Sequence, residues 1–178
     1  AAWPMTPVSP MPQAAMVGVM ANTSPILKDD GWGAGAVGLL MAAHFVGMFA
    51  LSVPVGRAAD RIGRRRTIIW GTVVCAIGAL GTVVFVHSLA IIPFFFLLGL
   101  GWCGAFVAGT SALADVTTAI ERGALTSAND MLVYVAGGLA SVGGGFVSAE
   151  LGFVTLGAGL AALELLALPF LLRVREGP

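Results

Sequence analysis

Five arginines and one aspartate fall in the stretch GRAADRIGRRR, Gly56 to Arg66, of a 178-residue chain that carries only nine Lys and Arg in all. Guanidinium groups this close to one carboxylate favour charge-assisted hydrogen bonds, and a carboxylate also suits the N-terminus of a facing helix. Asp60 is the natural acceptor for Arg57, Arg61, Arg64 and Arg65. Asp115, Glu121 and Arg122 form a second polar stretch that either extends this charge network or is simply solvated. Elsewhere the polar side chains stand singly. His44 and Glu164 lie within long apolar runs, where each is either a proton carrier or a group bonded to a neighbouring helix. Asn22, Trp102, Asn129, Asp130 and Tyr134 are the remaining candidates for contact with a small molecule, with packing or interface anchoring as the alternative for Trp102 and Tyr134.

Covalent chemistry is poorly supplied. Two lone histidines, two separated cysteines and no H-E-x-x-H offer neither an activated nucleophile nor a set of metal ligands, so no enzyme, metal or cofactor is expected. Cys75 and Cys103 fall mid-run and read as buried free thiols. The formal net charge is zero, which gives no case for nucleic acid.

The elements that must position these residues are membrane helices. The chain is 58% hydrophobic and 10% charged, with a mean hydropathy of +0.96. No acidic or basic residue interrupts 31–56, 67–114 or 131–149, and about 20 apolar residues in a helix cross a bilayer core. These runs do not alternate apolar with polar residues, as barrel strands must. The expected fold is an all-α integral membrane bundle of six transmembrane helices, roughly 12–27, 33–55, 67–86, 91–112, 128–149 and 152–172. A Pro-rich irregular segment, 1–11, precedes it and a tail, 173–178, follows. The segment HSLAIIP, His87 to Pro93, is the expected turn between the third and fourth spans. Gly56 is expected to end the second helix and approach a neighbour closely, and Gly63 to allow a positive φ in the reversal.

With six spans, one side holds Arg57, Arg61, Arg64, Arg65, Arg66, Arg122, Arg173 and Arg175, and the other holds Lys28 alone, beside Asp29 and Asp30. Under the positive-inside rule the arginine-rich side, with both termini, faces the cytoplasm. The sequence opens on Ala-Ala-Trp without the n-region or cleavage site of a signal peptide, and is expected to be a fragment of a longer protein.

Orientation alone requires only basic residues, in any order. The pattern G-x-x-x-D-x-x-G-R-R-R, met here by Gly56, Asp60, Gly63, Arg64, Arg65 and Arg66, resembles the signature loop of the major facilitator superfamily (MFS), secondary transporters built of two six-helix halves. The stretches AVGLLMAAHFVGMFALSVPVG, LLGLGWCGAFVAGTSALADVTTAIERG and NDMLVYVAGGLASVGGG resemble the second, fourth and fifth helices of such a half. The hallmark Arg of the fourth helix in N-terminal halves is missing from Ile91 to Thr110, so the resemblance points to the C-terminal half of a twelve-helix carrier.

The resemblance implies secondary active transport of a small molecule across the bacterial inner membrane by alternating access, as a proton-coupled symporter or antiporter. Substrate would bind near the midplane between this half and a second one. It makes the signature loop a cytoplasmic gate: Gly56, Arg57, Asp60, Arg61, Gly63, Arg64, Arg65 and Arg66, with Asp115, Glu121 and Arg122 as its possible extension. His44, Asn22, Trp102, Asp130, Tyr134 and Glu164 are then the candidates for the substrate or proton pathway. The partners implied are the substrate, H+, the lipid bilayer and the other half. A non-transporting scaffold or a membrane-embedded enzyme is the alternative.

Overall fold

The computed structural model describes residues 10–173. They form eight α-helices and no strand: α1 Pro10–Asp29, α2 Ala34–Phe45, α3 Ser52–Ile62, α4 Arg64–Val84, α5 Ile91–Val116, α6 Ala119–Leu151, α7 Phe153–Leu165 and α8 Leu168–Arg173. A single π-helical turn, Val46–Ala50, joins α2 to α3, so that Ala34–Ile62 runs as one stretch of 29 residues. Most of the expected segment 1–11 and the tail beyond residue 173 lie outside the described residues.

Caps and glycines set the helix ends. After α1, Gly31 adopts φ 81°, and the Trp32 and Gly31 amides donate back to the Leu27 and Lys28 carbonyls at 2.9 and 3.0 Å. A left-handed glycine closing the last turn in this way occupies carbonyls that would otherwise lack partners. Gly63 at φ 100° and Gly152 at φ 88° mark the other abrupt reversals. The stretches expected as loops are largely helical. Gly63 is the sole residue between α3 and α4, and Thr117 and Thr118 alone separate α5 from α6. Hydropathy falls where charge begins, but Arg, Ala, Leu and Glu are good helix formers, so the helices continue past the apolar runs. Gly56 accordingly does not end a helix. It lies inside α3, and a Cβ there would find one atom within 4 Å, Val107 Cγ1 at 3.9 Å, so the expected close approach is absent. The turn after α4 occupies 85–90, and Pro93 sits in the first turn of α5, where a missing N–H costs nothing.

Five helical stretches are long and apolar enough to cross a membrane: Ala34–Ile62, Arg64–Val84, Ile91–Val116, Ala119–Leu151 and Phe153–Leu172. The one expected span missing from these, the first, is α1, which has 20 residues but is diluted by Gln13, Asn22, Thr23 and Ser24. Gln13 and Thr23 are buried against neighbouring helices, so α1 needs less apolar surface of its own. The last stretch is broken at Leu166–Ala167, between α7 and α8.

The core centres on α4 and α5, which approach to backbone contact. A Cβ added at Gly101 would come 2.1 Å from the Cys75 amide nitrogen, at Gly78 2.3 Å from that of Leu98, and at Gly71 2.4 Å from that of Ala105. Small residues on facing helices permit this approach, and dispersion then holds the pair. Val19, Leu27, Leu40, Val83, Ile91, Phe95 and Leu98 fill the space around it. Cys75 and Cys103 are buried and free, as expected. In contrast α6 rests on α1 and α7 and leaves Met131, Tyr134, Leu139, Val142 and Phe146 exposed.

Candidate functional site

The arginine-rich end brings four helix ends together. Arg64, the first residue of α4, pairs with Asp60 one turn back in α3 and, through Nε at 3.1 Å, with Asp115 Oδ2 near the end of α5. The guanidinium fork thus bridges two carboxylates on different helices, which a single ammonium would serve less well. Asp60 and Asp115 are 63% and 57% exposed, so these contacts are weak enough to break and re-form. Arg65 turns to the other side. Its Nε donates to the Leu171 carbonyl at 2.6 Å and its Nη2 to that of Leu172, capping α8.

The second polar stretch divides its work. Arg122 Nη2 donates to the Ala114 carbonyl at 3.1 Å in the last turn of α5, beside Asp115. Glu121 is not brought to the arginines. The Thr118 hydroxyl accepts from the Glu121 amide at 3.4 Å and donates to its carboxylate at 2.7 Å, which makes Thr118 and Glu121 the cap of α6. Arg57, Arg61 and Arg66 are exposed and make no hydrogen bond or ion pair among the described residues.

Of the residues within the apolar runs, His44 and Glu164 are fully buried. His44 lies on the α2 face that meets α5, two residues before the π-helical turn; its Nδ1 is 2.8 Å from the Phe95 carbonyl and its ring 4.7 Å from that of Phe95. Its Nε2 is buried with no hydrogen-bond partner among the described residues. Glu164, on α7, faces the Cys75 thiol of α4, and neither carboxylate oxygen makes a hydrogen bond of ordinary geometry. Asn22 ties α1 to α6 through Nδ2 to the Ser141 carbonyl at 3.3 Å and also reaches Gly18 at 2.8 Å. Trp102 donates to Gln13 Oε1 at 2.6 Å and stacks on Phe106 with centroids 4.7 Å apart. Asp130 is half-buried beside Asn129, and Tyr134 is exposed on the outer face of α6. These residues do not converge on one pocket.

Two features had no reading in the sequence. Gln13 is the buried partner of Trp102, and a polar residue in the first turn of a span was its available signal. At the opposite end of the bundle His87 meets Asp30 at 2.5 Å, joining the α4–α5 turn to the end of α1. Among the described residues no group of three or more His, Cys, Asp or Glu side chains is placed to hold a metal.

A family model described as Major Facilitator Superfamily matches residues 12–178. The chain is 30% identical over 127 residues to YdeG of Bacillus subtilis (strain 168), an uncharacterized MFS-type transporter, covering 70% of this chain and 30% of that protein. It is 27% identical over 159 residues to YddS of the same organism, also an uncharacterized MFS-type transporter, covering 88% and 36%. It is 32% identical over 94 residues to the riboflavin transporter RfnT of Brucella anthropi, covering 51% and 23%. The chain therefore spans about a third or less of the length of these relatives.

Proposed function

This chain belongs to the major facilitator superfamily and is an integral membrane protein, and from that premise we propose that it is one six-helix half, the C-terminal one, of a secondary carrier for a small molecule. The carrier works in the bacterial inner membrane by alternating access and couples transport to protons. The second half packs on the faces this one leaves open, Tyr134 and its neighbours on α6 among them, and substrate binds between the two.

The observation that carries this reading is the chain Asp60–Arg64–Asp115. It ties the end of α3, the start of α4 and the end of α5 with ion pairs that are more than half solvated on the carboxylate side. Contacts of this strength bias a two-state equilibrium without freezing it. In the gate, Asp60, Arg64 and Asp115 form and break the pairs, Gly63 allows the reversal, and Arg57, Arg61, Arg65 and Arg66 surround them. Arg122 and the Thr118–Glu121 cap fix the adjoining helix ends. Uptake into liposomes holding the full-length carrier tests the function, with a substrate panel that includes riboflavin, the compound named for one relative. Accumulation driven by an imposed pH gradient is expected, and no flux of any compound would favour a scaffold.

The gate and both termini face the cytoplasm. A cysteine placed at Arg61 should be protected from an impermeant thiol reagent added outside intact cells and should react once the membrane is opened. Rapid labelling in intact cells would reverse the topology.

Within the span, His44 serves the proton pathway. Its imidazole accepts or donates through the Nε2 that faces no partner, while Nδ1 stays on Phe95. Asn22, Trp102, Asp130, Tyr134 and Glu164 are the further candidates along the pathway. The expected result for His44→Ala in the full carrier is transport with a flattened pH dependence; an unchanged rate and pH profile would leave His44 as a packing residue.

A further inference from the structure

Beside the gate, α3, α4 and α5 enclose an apolar groove of about 220 Å³, open to the outside of the bundle. Ala58 and Ile62 of α3, Thr67, Trp70 and Val74 of α4, and Leu100 of α5 line it. Its one hydroxyl is turned away, since Thr67 Oγ1 donates to the Gly63 carbonyl at 3.0 Å and so presents its methyl group. The floor is the glycine contact between α4 and α5, which leaves no side chain to fill the space.

The rim of this groove is cationic. Arg66 lies one turn before Trp70 on the same face of α4, and Arg61 adjoins Ile62 at the end of α3, with Arg57 one turn behind it. All three arginines are exposed and unpaired among the described residues, while Asp60 and Asp115 are both taken by Arg64. Trp70 is 64% exposed at the groove edge, one turn along α4 from Arg66, and a tryptophan beside a cationic helix end suits the boundary between acyl chains and headgroups.

From this pairing we propose that the groove is a binding site for an anionic phospholipid, with an acyl chain between α3 and α4 and the phosphate held by Arg61 and Arg66. A wholly apolar trough accepts a hydrocarbon chain and gives nothing to a polar ligand. The unpaired arginines above it require a negative charge, which a zwitterionic lipid supplies only alongside its own cation. Each arginine near a membrane surface attracts an anionic lipid by about 1 kcal/mol, roughly a fivefold preference. Bound there, the lipid bridges α3 and α4 next to the Asp60–Arg64 pair, and so weights one state of the gate.

The test is lipid retention by the detergent-solubilised full-length carrier, measured by native mass spectrometry after titration with phosphatidylglycerol or with phosphatidylcholine of the same chain length. Wild type should retain phosphatidylglycerol at least roughly tenfold better, and Arg61→Gln with Arg66→Gln should bring it close to the phosphatidylcholine level. Ala58→Trp, which fills the groove, should lower retention of both lipids, and Val74→Phe on the opposite wall gives the same reading if the first variant misfolds. Equal retention of the two lipids by wild type, or undiminished phosphatidylglycerol retention in the double variant, overturns the proposal. It is also overturned if both groove-filling variants keep their lipid, which would place the retained lipid elsewhere on the carrier. Retention is read without transport, so a failure of the carrier reading leaves this result standing.

Discussion

Asp60→Asn will reduce transport by the full carrier about fivefold or more, at equal surface expression, while Arg57→Gln leaves it near the wild-type rate. Orientation depends on the number of Lys and Arg and little on carboxylates, so neither substitution should invert the loop. The two residues differ in their partners. Asp60 accepts from Arg64, which also holds Asp115, whereas Arg57 makes no hydrogen bond or ion pair among the described residues. Asparagine keeps the shape of Asp60 but leaves Arg64 with one carboxylate and the surrounding arginines with less to offset their repulsion. An exposed pair is worth about 0.2–1 kcal/mol, and a contact made in only one of two states shifts their ratio by up to roughly fivefold at that strength. Docking against the second half would bury the pair further and enlarge the effect. Asp115→Asn should behave like Asp60→Asn, since it removes the other arm of the same guanidinium. Wild-type transport by both carboxamide variants would leave the arginines with a topogenic role alone.

The largest loss of stability is expected at Gly101. A methyl group there would lie 2.1 Å from the Cys75 amide nitrogen and 2.5 Å from its Cα, and backbone cannot step aside as the end of a side chain can. Gly101→Ala must therefore separate α4 from α5 along the whole contact that also holds Gly71 and Gly78. Overpacking of a close interface costs about 1–3 kcal/mol, and loss of the remaining contacts between these helices adds to it. Gly138→Ala in α6 is the matched control, because a Cβ there meets nothing within 4 Å. Alanine is the better helix former by about 1 kcal/mol, so this variant should be as stable as wild type or more so. Thermal unfolding of the two variants in detergent gives the comparison, and equal midpoints would show that the α4–α5 contact yields more readily than its geometry implies.

Local signals were the ones the sequence could carry. Asp60 and Arg64 are four apart on what proved to be nearly continuous helix, and their pairing follows from that spacing. Gly63 was legible because a reversal between two helices needs a residue at positive φ. Asp115 was harder: it is 51 residues from Arg64, and only the packing of α4 on α5 makes them neighbours. Arg65 on the α8 carbonyls had no signature at all, since the acceptors are backbone atoms that every residue owns. Gly56 was misread because hydropathy locates the edge of an apolar run, whereas the helix ends where its hydrogen bonds stop. Glu121 was grouped with the arginines by its charge, but the nearer Thr118 hydroxyl claims it. The dilution of α1 by Gln13 and Asn22 concealed how much of that helix is covered by its neighbours.

The one-residue joint at Gly63 also bears on how such a chain can change length over evolutionary time. Most connections between helices tolerate insertion, because added residues bulge into water and the elements they join stay in place. Here both flanking residues belong to helices, and Arg64 and Arg65 are aimed from the first turn of α4 at partners on three other helix ends. One inserted residue ahead of Arg64 would have to leave the joint entirely as slack or rotate the first turn of α4 by about 100°, carrying both guanidinium groups off their acceptors. Deletion of Gly63 would be worse, since the reversal would fall on Ile62 or Arg64, and neither can take φ 100° without strain. Insertions and deletions should therefore be absent from this joint and gather instead at places such as the turn over residues 85–90, where six residues separate α4 from α5 and few helix ends depend on their register.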